Sequence, residues 1–187
     1  GDMDAQDLCQ SEARHLRLRL YRGESNAYGI EEIEIKDPAW AATRNAFFGN
    51  LAKASPRGAY PRGFVEQPYW TIVGADGGAS PALISEDGAI EPRKGGWSIE
   101  PFLSVDGKRF SWADVRPTQS LLDGYLPVPT VHWNAGVLTL DVEAFARGAR
   151  GVAQLIARYR LANTSDQPVE ATLQLAVRPF QVNPPTQ

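Results

Sequence analysis

Apolar and polar residues alternate along most of this chain with a period of two, the pattern of strands that bury one face. Residues 15–21 (HLRLRLY) set Leu16, Leu18 and Leu20 against Arg17 and Arg19, and residues 30–36 (IEEIEIK) repeat the arrangement. Both predict strands with one wet face, joined by a turn in which Gly23, Asn26 and Gly29 supply the turn chemistry. Toward the other end, Val169, Ala171, Leu173, Leu175 and Val177 fall at every second position after the turn formers of 163–168, which predicts a further strand. Pro179, Pro184 and Pro185 follow it. A sheet edge running into prolines reads as a passage into more protein, so the chain is expected to be a piece of something longer.

One segment breaks the two-residue rhythm. Trp40, Phe47 and Leu51 can share a helical face, and Ser55-Pro56-Arg57-Gly58 would stop the run, so a short helix is predicted within residues 38–54. Asp37-Pro38 offers an N-cap with a first-turn proline, and Thr43 offers an equally good cap. From Pro68 onward the chain reads as strands over 69–74, 83–86, 89–91, 97–105, 108–112, 115–122, 130–133, 136–145, 152–162 and 169–177. Asp76-Gly77, Asp87-Gly88 and Asp106-Gly107 punctuate them as hairpin turns. Turn signals every ~8–12 residues predict a sandwich or barrel. The expected fold class is mostly β: an antiparallel β-sandwich preceded by a short helix-containing connector. Residues 1–37 are expected to hold terminal strands, 38–67 the connector, and 68–187 a sandwich cut short at its C-terminal end.

At 187 residues and 43% hydrophobic content, the chain is long enough to bury a substantial core and is not a disordered polymer. Its net charge is −3, and its arginines are scattered among carboxylates. Nucleic acid is therefore not an expected partner, because neutralising phosphates takes clustered Lys and Arg. No apolar run approaches the ~20 residues of a membrane-spanning helix, and no membrane partner is expected. Gly1 to Gln6 lacks the basic and apolar regions of a signal peptide. Cys9 is the single cysteine, so no intrachain disulfide forms and redox compartment stays open.

Candidate chemistry is sparse. His15 and His132 are the only histidines and lie far apart in sequence, so neither a metal site nor a cofactor is expected. The Asp-Gly pairs lack the alternating ligands of a calcium loop, and Gly74–Gly78 (GADGG) lacks the Lys-Ser/Thr of a phosphate cradle. Gly96-Trp97-Ser98 is not a nucleophile elbow. Glu100, Asp106 and Asp114 flank one hairpin and could face each other as a glycoside-cleaving pair, but surface strands carry acids routinely, and no catalytic residue is assigned. Aromatic rings beside polar groups are the better hint, because sugars stack their C–H faces on rings and bond their hydroxyls to polar neighbours. Trp70 and Trp97 sit among alternating apolar residues and read as core. Trp112 and Trp133 lie beside turns, and Asp114 and Arg116 place both charges next to Trp112. The expected carbohydrate-binding set is Trp112, Asp114, Arg116, Tyr125, His132 and Trp133.

Residues 13–20 (ARHLRLRL) with 28–35 (YGIEEIEI) resemble the last two strands of a discoidin-type (coagulation factor 5/8 C-terminal type) jelly roll. The sugar-binding loops of that family would precede this segment, so the resemblance carries no site residue. GGWSIEPFL (95–103), WADVRPTQSLLDGYLPVP (112–129) and RYRLANTSDQPVEATLQLAVRPFQVNPP (158–185) resemble the N-terminal β-supersandwich, galactose-mutarotase-like in fold, of large bacterial carbohydrate-active proteins. There the sandwich precedes a helical six-hairpin toroid whose loops generally carry the acid and base of a glycosidase. The resemblance implies a noncatalytic accessory region of a glycoside hydrolase-like protein, with a glycan or oligosaccharide and the catalytic toroid as partners and a periplasmic or secreted location. Two other functions stand beside it: an autonomous carbohydrate-binding module, and a catalytic mutarotase- or lyase-like sandwich. The exposed edge expected of the last strand adds a homodimer through edge pairing.

Overall fold

The computed structural model describes residues 32–78, 80–149 and 151–183, together with positions 15, 17, 19 and 30. The fold is mostly β, built from two antiparallel sheets. The first sheet orders β1 (Trp70–Val73), β2 (Ala82–Ser85), β3 (Ile90–Glu91), β4 (Ser98–Val105) and the last strand, β10 (Ala171–Arg178), with β5 (Lys108–Phe110) also on β4. The second is a meander of β6 (Thr118–Leu122), β7 (Leu126–Ala135), β8 (Leu138–Arg147) and β9 (Gln154–Asn163). Each of the ten strands predicted between 69 and 177 has its counterpart here.

The two-residue period decides which face is core. Along β8, Leu138, Leu140, Val142 and Ala144 are buried, while Thr139, Asp141 and Glu143 between them reach solvent. Along β7, Val131, Trp133 and Ala135 point the same way. They meet Val73, Ile84, Ile90, Leu103 and Val105 of the first sheet in one hydrophobic core. After β9 the chain crosses over, and β10 lies beside β4 with Leu173 opposite Leu103 and Ala171 opposite Val105. The Asp106-Gly107 and Asp123-Gly124 turns hold both residues at positive φ (47° and 79°, 54° and 79°). Asp tolerates that region better than most residues and Gly enters it without penalty, which is why this dipeptide closes tight hairpins.

Two elements differ from expectation. Strand β7 begins at Leu126 rather than 130, running through Pro127 and Pro129. Of the two, Pro129 pairs with Leu121 of β6 and Pro127 falls in an irregularity of that ladder, and the pairing with β8 starts only at Thr130, so both prolines sit where β7 has a local edge. The strand expected over 30–36 is not formed at its described positions, and Ile33 and Ile35 stand 57% and 77% exposed. A lone hairpin does not bury enough apolar surface to hold itself together in water. The strand expected over 15–21 lies largely outside the described residues.

The predicted helix uses both of its candidate caps. Asp37 accepts from the Trp40 N–H at 3.0 Å and starts a 3-10 turn (Pro38–Ala41), and Thr43 accepts from the Ala46 N–H at 3.0 Å and starts α1 (Arg44–Ala54). The connector then folds onto the outer face of the first sheet. Phe180, just beyond β10, packs between Phe48 and Phe64 with ring centroids 5.1 and 5.2 Å away. Arg178 donates to the Ala59 carbonyl at 2.8 Å, and Trp112 donates its indole N–H to the Tyr60 carbonyl at 2.8 Å. The outer face of the first sheet is thus covered around Glu91, Ser98 and Glu100, while Ile72, Thr172 and Gln174 stay exposed, and the meander sheet keeps its outer face open.

Candidate functional site

The open face belongs to β6–β9. Residues of one parity on each strand point outward there: Thr118 and Ser120 on β6, Thr130 and His132 on β7, Asp141 and Glu143 on β8, Arg158 and Arg160 on β9. Register brings them into two rows. One runs Thr118, His132, Asp141, Arg160, and the next runs Ser120, Thr130, Glu143, Arg158.

Within this face His132 bridges two neighbours. Its Nδ1 lies 2.8 Å from Asp141 Oδ1, and its Nε2 lies 2.8 Å from Ser120 Oγ. An ionised carboxylate can only accept, so in the neutral ring Nδ1 carries the proton and Nε2 accepts from the serine hydroxyl. Arg160 Nη1 is 4.0 Å from Asp141 Oδ2, with 63% of its side chain exposed. Arg158 forms a close pair with Glu143, at 2.6 and 2.8 Å to its two oxygens. Thr130, His132, Asp141, Glu143, Arg158 and Arg160 line a shallow depression of about 120 Å³. Donors, acceptors and both charges converge on it, which suits a ligand rich in hydroxyls.

A second polar cluster lies under the connector. Asp87 is 6% exposed and meets Arg62 at 3.0 Å. Burial pushes its carboxyl up to about 6 although the guanidinium pulls the other way. Glu100 is 4% exposed; burial raises it as well, against the opposing pull of Arg178 at 3.1 Å and of the Ser98 hydroxyl. Both acids line a cavity of about 30 Å³, room for about one water. Each is committed to an arginine that ties chain segments together, so this cluster holds the fold rather than a substrate.

The residues singled out by sequence divide accordingly. Trp112 is 7% exposed, with the Arg57 guanidinium 4.6 Å from its ring centre. Trp133 is 2% exposed and donates to the Asp87 carbonyl at 3.0 Å. Neither ring offers a free face for stacking a sugar, which corrects the expectation that they form a platform. Asp114 is exposed but accepts from the Ser111 N–H and hydroxyl, both at 2.8 Å, closing a turn. Arg116 is exposed away from the polar depression's lining residues. Tyr125 is 74% exposed at the tip of the β6–β7 hairpin. His132 alone of the six lines the depression. Nor do Glu100, Asp106 and Asp114 face one another: Glu100 is buried against Arg178, and Asp106 stands exposed in the β4–β5 turn.

Sequence reasoning does not pick out Ser120, Asp141, Glu143, Arg158 and Arg160. Their signal is parity: Thr139, Asp141 and Glu143 alternate with buried residues, and Arg158 and Arg160 alternate with the half-buried Ala157 and Tyr159. Among the described residues, no group of three His, Cys, Asp or Glu is placed to hold a metal ion. Compared with known protein families, with curated proteins and with solved structures, the chain matches none.

Proposed function

We propose that this chain is a β-sandwich accessory region of a larger carbohydrate-active protein, and that it meets glycan on the open face of β6–β9. The supporting observation is the shallow depression in which His132, Asp141, Glu143, Arg158 and Arg160 converge. Sugar hydroxyls both donate and accept, and this surface supplies both roles side by side. Tyr125 adds an exposed ring on the same hairpin as His132. Six strand positions separate His132 from Leu126 beside that ring, about 20 Å at ~3.3 Å per residue. A single sugar does not span this distance, so an oligosaccharide is the favoured ligand. The toroid partner, the bacterial source and the glycosidase context rest on the sequence resemblance alone.

The test is a glycan array followed by calorimetric titration of the best ligand. Arg160→Ala and Glu143→Gln are expected to weaken binding about tenfold each, the loss of about one charge-assisted hydrogen bond. Absence of binding to every glycan offered, or binding that both substitutions leave unchanged, would remove this reading.

A further inference from the structure

We infer that Ser120 is a nucleophile for acyl transfer, activated by His132, with a short-chain carboxylic ester of a polyhydroxy alcohol as its substrate. The nucleophile, base and orienting acid of a serine hydrolase need two hydrogen bonds in series. Here Ser120 Oγ is 2.8 Å from His132 Nε2 and His132 Nδ1 is 2.8 Å from Asp141 Oδ1. The three residues come from three adjacent strands, so the sheet ladder fixes their spacing more firmly than loops would.

The surroundings supply the remaining parts. Among the described residues β6 pairs with β7 alone, so alternate N–H groups of this edge strand point off the sheet within two residues of Ser120. Backbone donors of that kind stabilise a developing oxyanion. Leu121 and Leu122, 39% and 47% exposed, follow Ser120 on the edge and give a short acyl chain apolar contact. On the other side of Ser120, over His132, lies the polar depression, where Thr130, Glu143 and Arg158 can bond the hydroxyls of the alcohol portion.

In the reaction, Ser120 Oγ attacks the ester carbonyl carbon while its proton passes to His132 Nε2. The tetrahedral intermediate collapses, the bond to the alcohol oxygen breaks, and His132 returns the proton to that oxygen. The acyl group is now on Ser120. Water, deprotonated by His132, attacks the acyl carbon; the carboxylic acid leaves and the serine hydroxyl is restored. Asp141 holds the ring throughout through its bond to Nδ1.

The polyol preference rests on the glycan reading of this face, whereas the nucleophile rests on the two hydrogen bonds. The intact chain is treated with a fluorophosphonate probe, the modified residue is mapped by peptide mass spectrometry, and release of 4-nitrophenol from 4-nitrophenyl acetate is followed in parallel. Modification of Ser120 is expected, lost in Ser120→Ala and slowed about 100-fold or more in His132→Ala, the usual contribution of a general base. All three residues reach solvent or lie near it, and circular dichroism confirms that each variant is folded. An unmodified Ser120, or a His132→Ala variant that reacts at the unsubstituted rate, would overturn the inference. Glycan titration of the same preparation separates the two readings. Binding without labelling removes only the nucleophile, and labelling without binding removes only the glycan.

Discussion

The outer faces of the two sheets use the same materials, carboxylates set beside arginines, in opposite surroundings. On the first sheet Glu91 and Glu100, with Asp87 in the turn between β2 and β3, are 2%, 4% and 6% exposed under the connector and the segment after β10. On the second, Asp141 and Glu143 keep 31% and 15% of their side chains exposed, and their arginine partners more than half. Burial makes the first set structural, because a desolvated charge that loses its partner is expensive. Solvent makes the second set nearly free to change partners, because exposed pairs contribute little. The covered face joins one stretch of chain to another, and the open face is the one that the proposed ligand would meet.

The largest effect should follow from breaking a covered pair. Arg178→Ala removes the partner of buried Glu100, a bond to the Ala59 carbonyl, and a cation stacked 4.9 Å from the Phe180 ring. A loss of about 3–5 kcal/mol is expected, read as a lower denaturant midpoint with faster proteolysis of the connector. A midpoint unchanged from the parent chain would erase the distinction between the faces.

A smaller effect concerns pH. Native Asp87 holds its proton up to about pH 6, against 3.8 for an ordinary aspartate. Between those values the folded state binds more protons than the unfolded one, so this residue's contribution to stability falls as pH rises from about 4 to 6. The total is at most about 3 kcal/mol, because one extra bound proton is worth ~1.4 kcal/mol for each pH step of one across that window. Unfolding measured at pH 4 and pH 7 should show that loss in the parent and not in Asp87→Asn; equal slopes in both would refute it. Glu100, also raised by burial, tilts both proteins in the same direction and cancels in the comparison.

The smallest effect belongs to the open face. Arg158→Ala, which breaks the pair with Glu143, should move stability by less than about 0.5 kcal/mol. A loss above about 2 kcal/mol would mean that this face, too, is structural.

From Pro68 onward, strand number and most strand positions are legible because half-buried strands write their burial into alternate residues. The start of β7 is not, since prolines argue against a strand unless one knows that a neighbour is missing there. The site is harder for a related reason. Parity sets Trp133 with Val131 and Ala135, and His132 with the polar positions, whereas proximity to a turn suggests exposure for both and is the weaker guide. Ser120, His132 and Asp141 are separated by 12 and 9 residues. Their meeting depends on hairpin registers, one of them shifted by an irregularity between Leu121 and Leu122, and turn chemistry alone does not specify such a shift.

Glu91 sits on the covered face, and its carboxylate accepts from the Gly95 N–H at 2.8 Å and the Val182 N–H at 2.9 Å. That clasp fixes the heading of the backbone as it leaves the last strand, on the side of the molecule away from the polar depression. A bead or sensor surface attached on that side, at the exposed Pro179 for example, would therefore hold every molecule with its unclothed side toward the flowing sample.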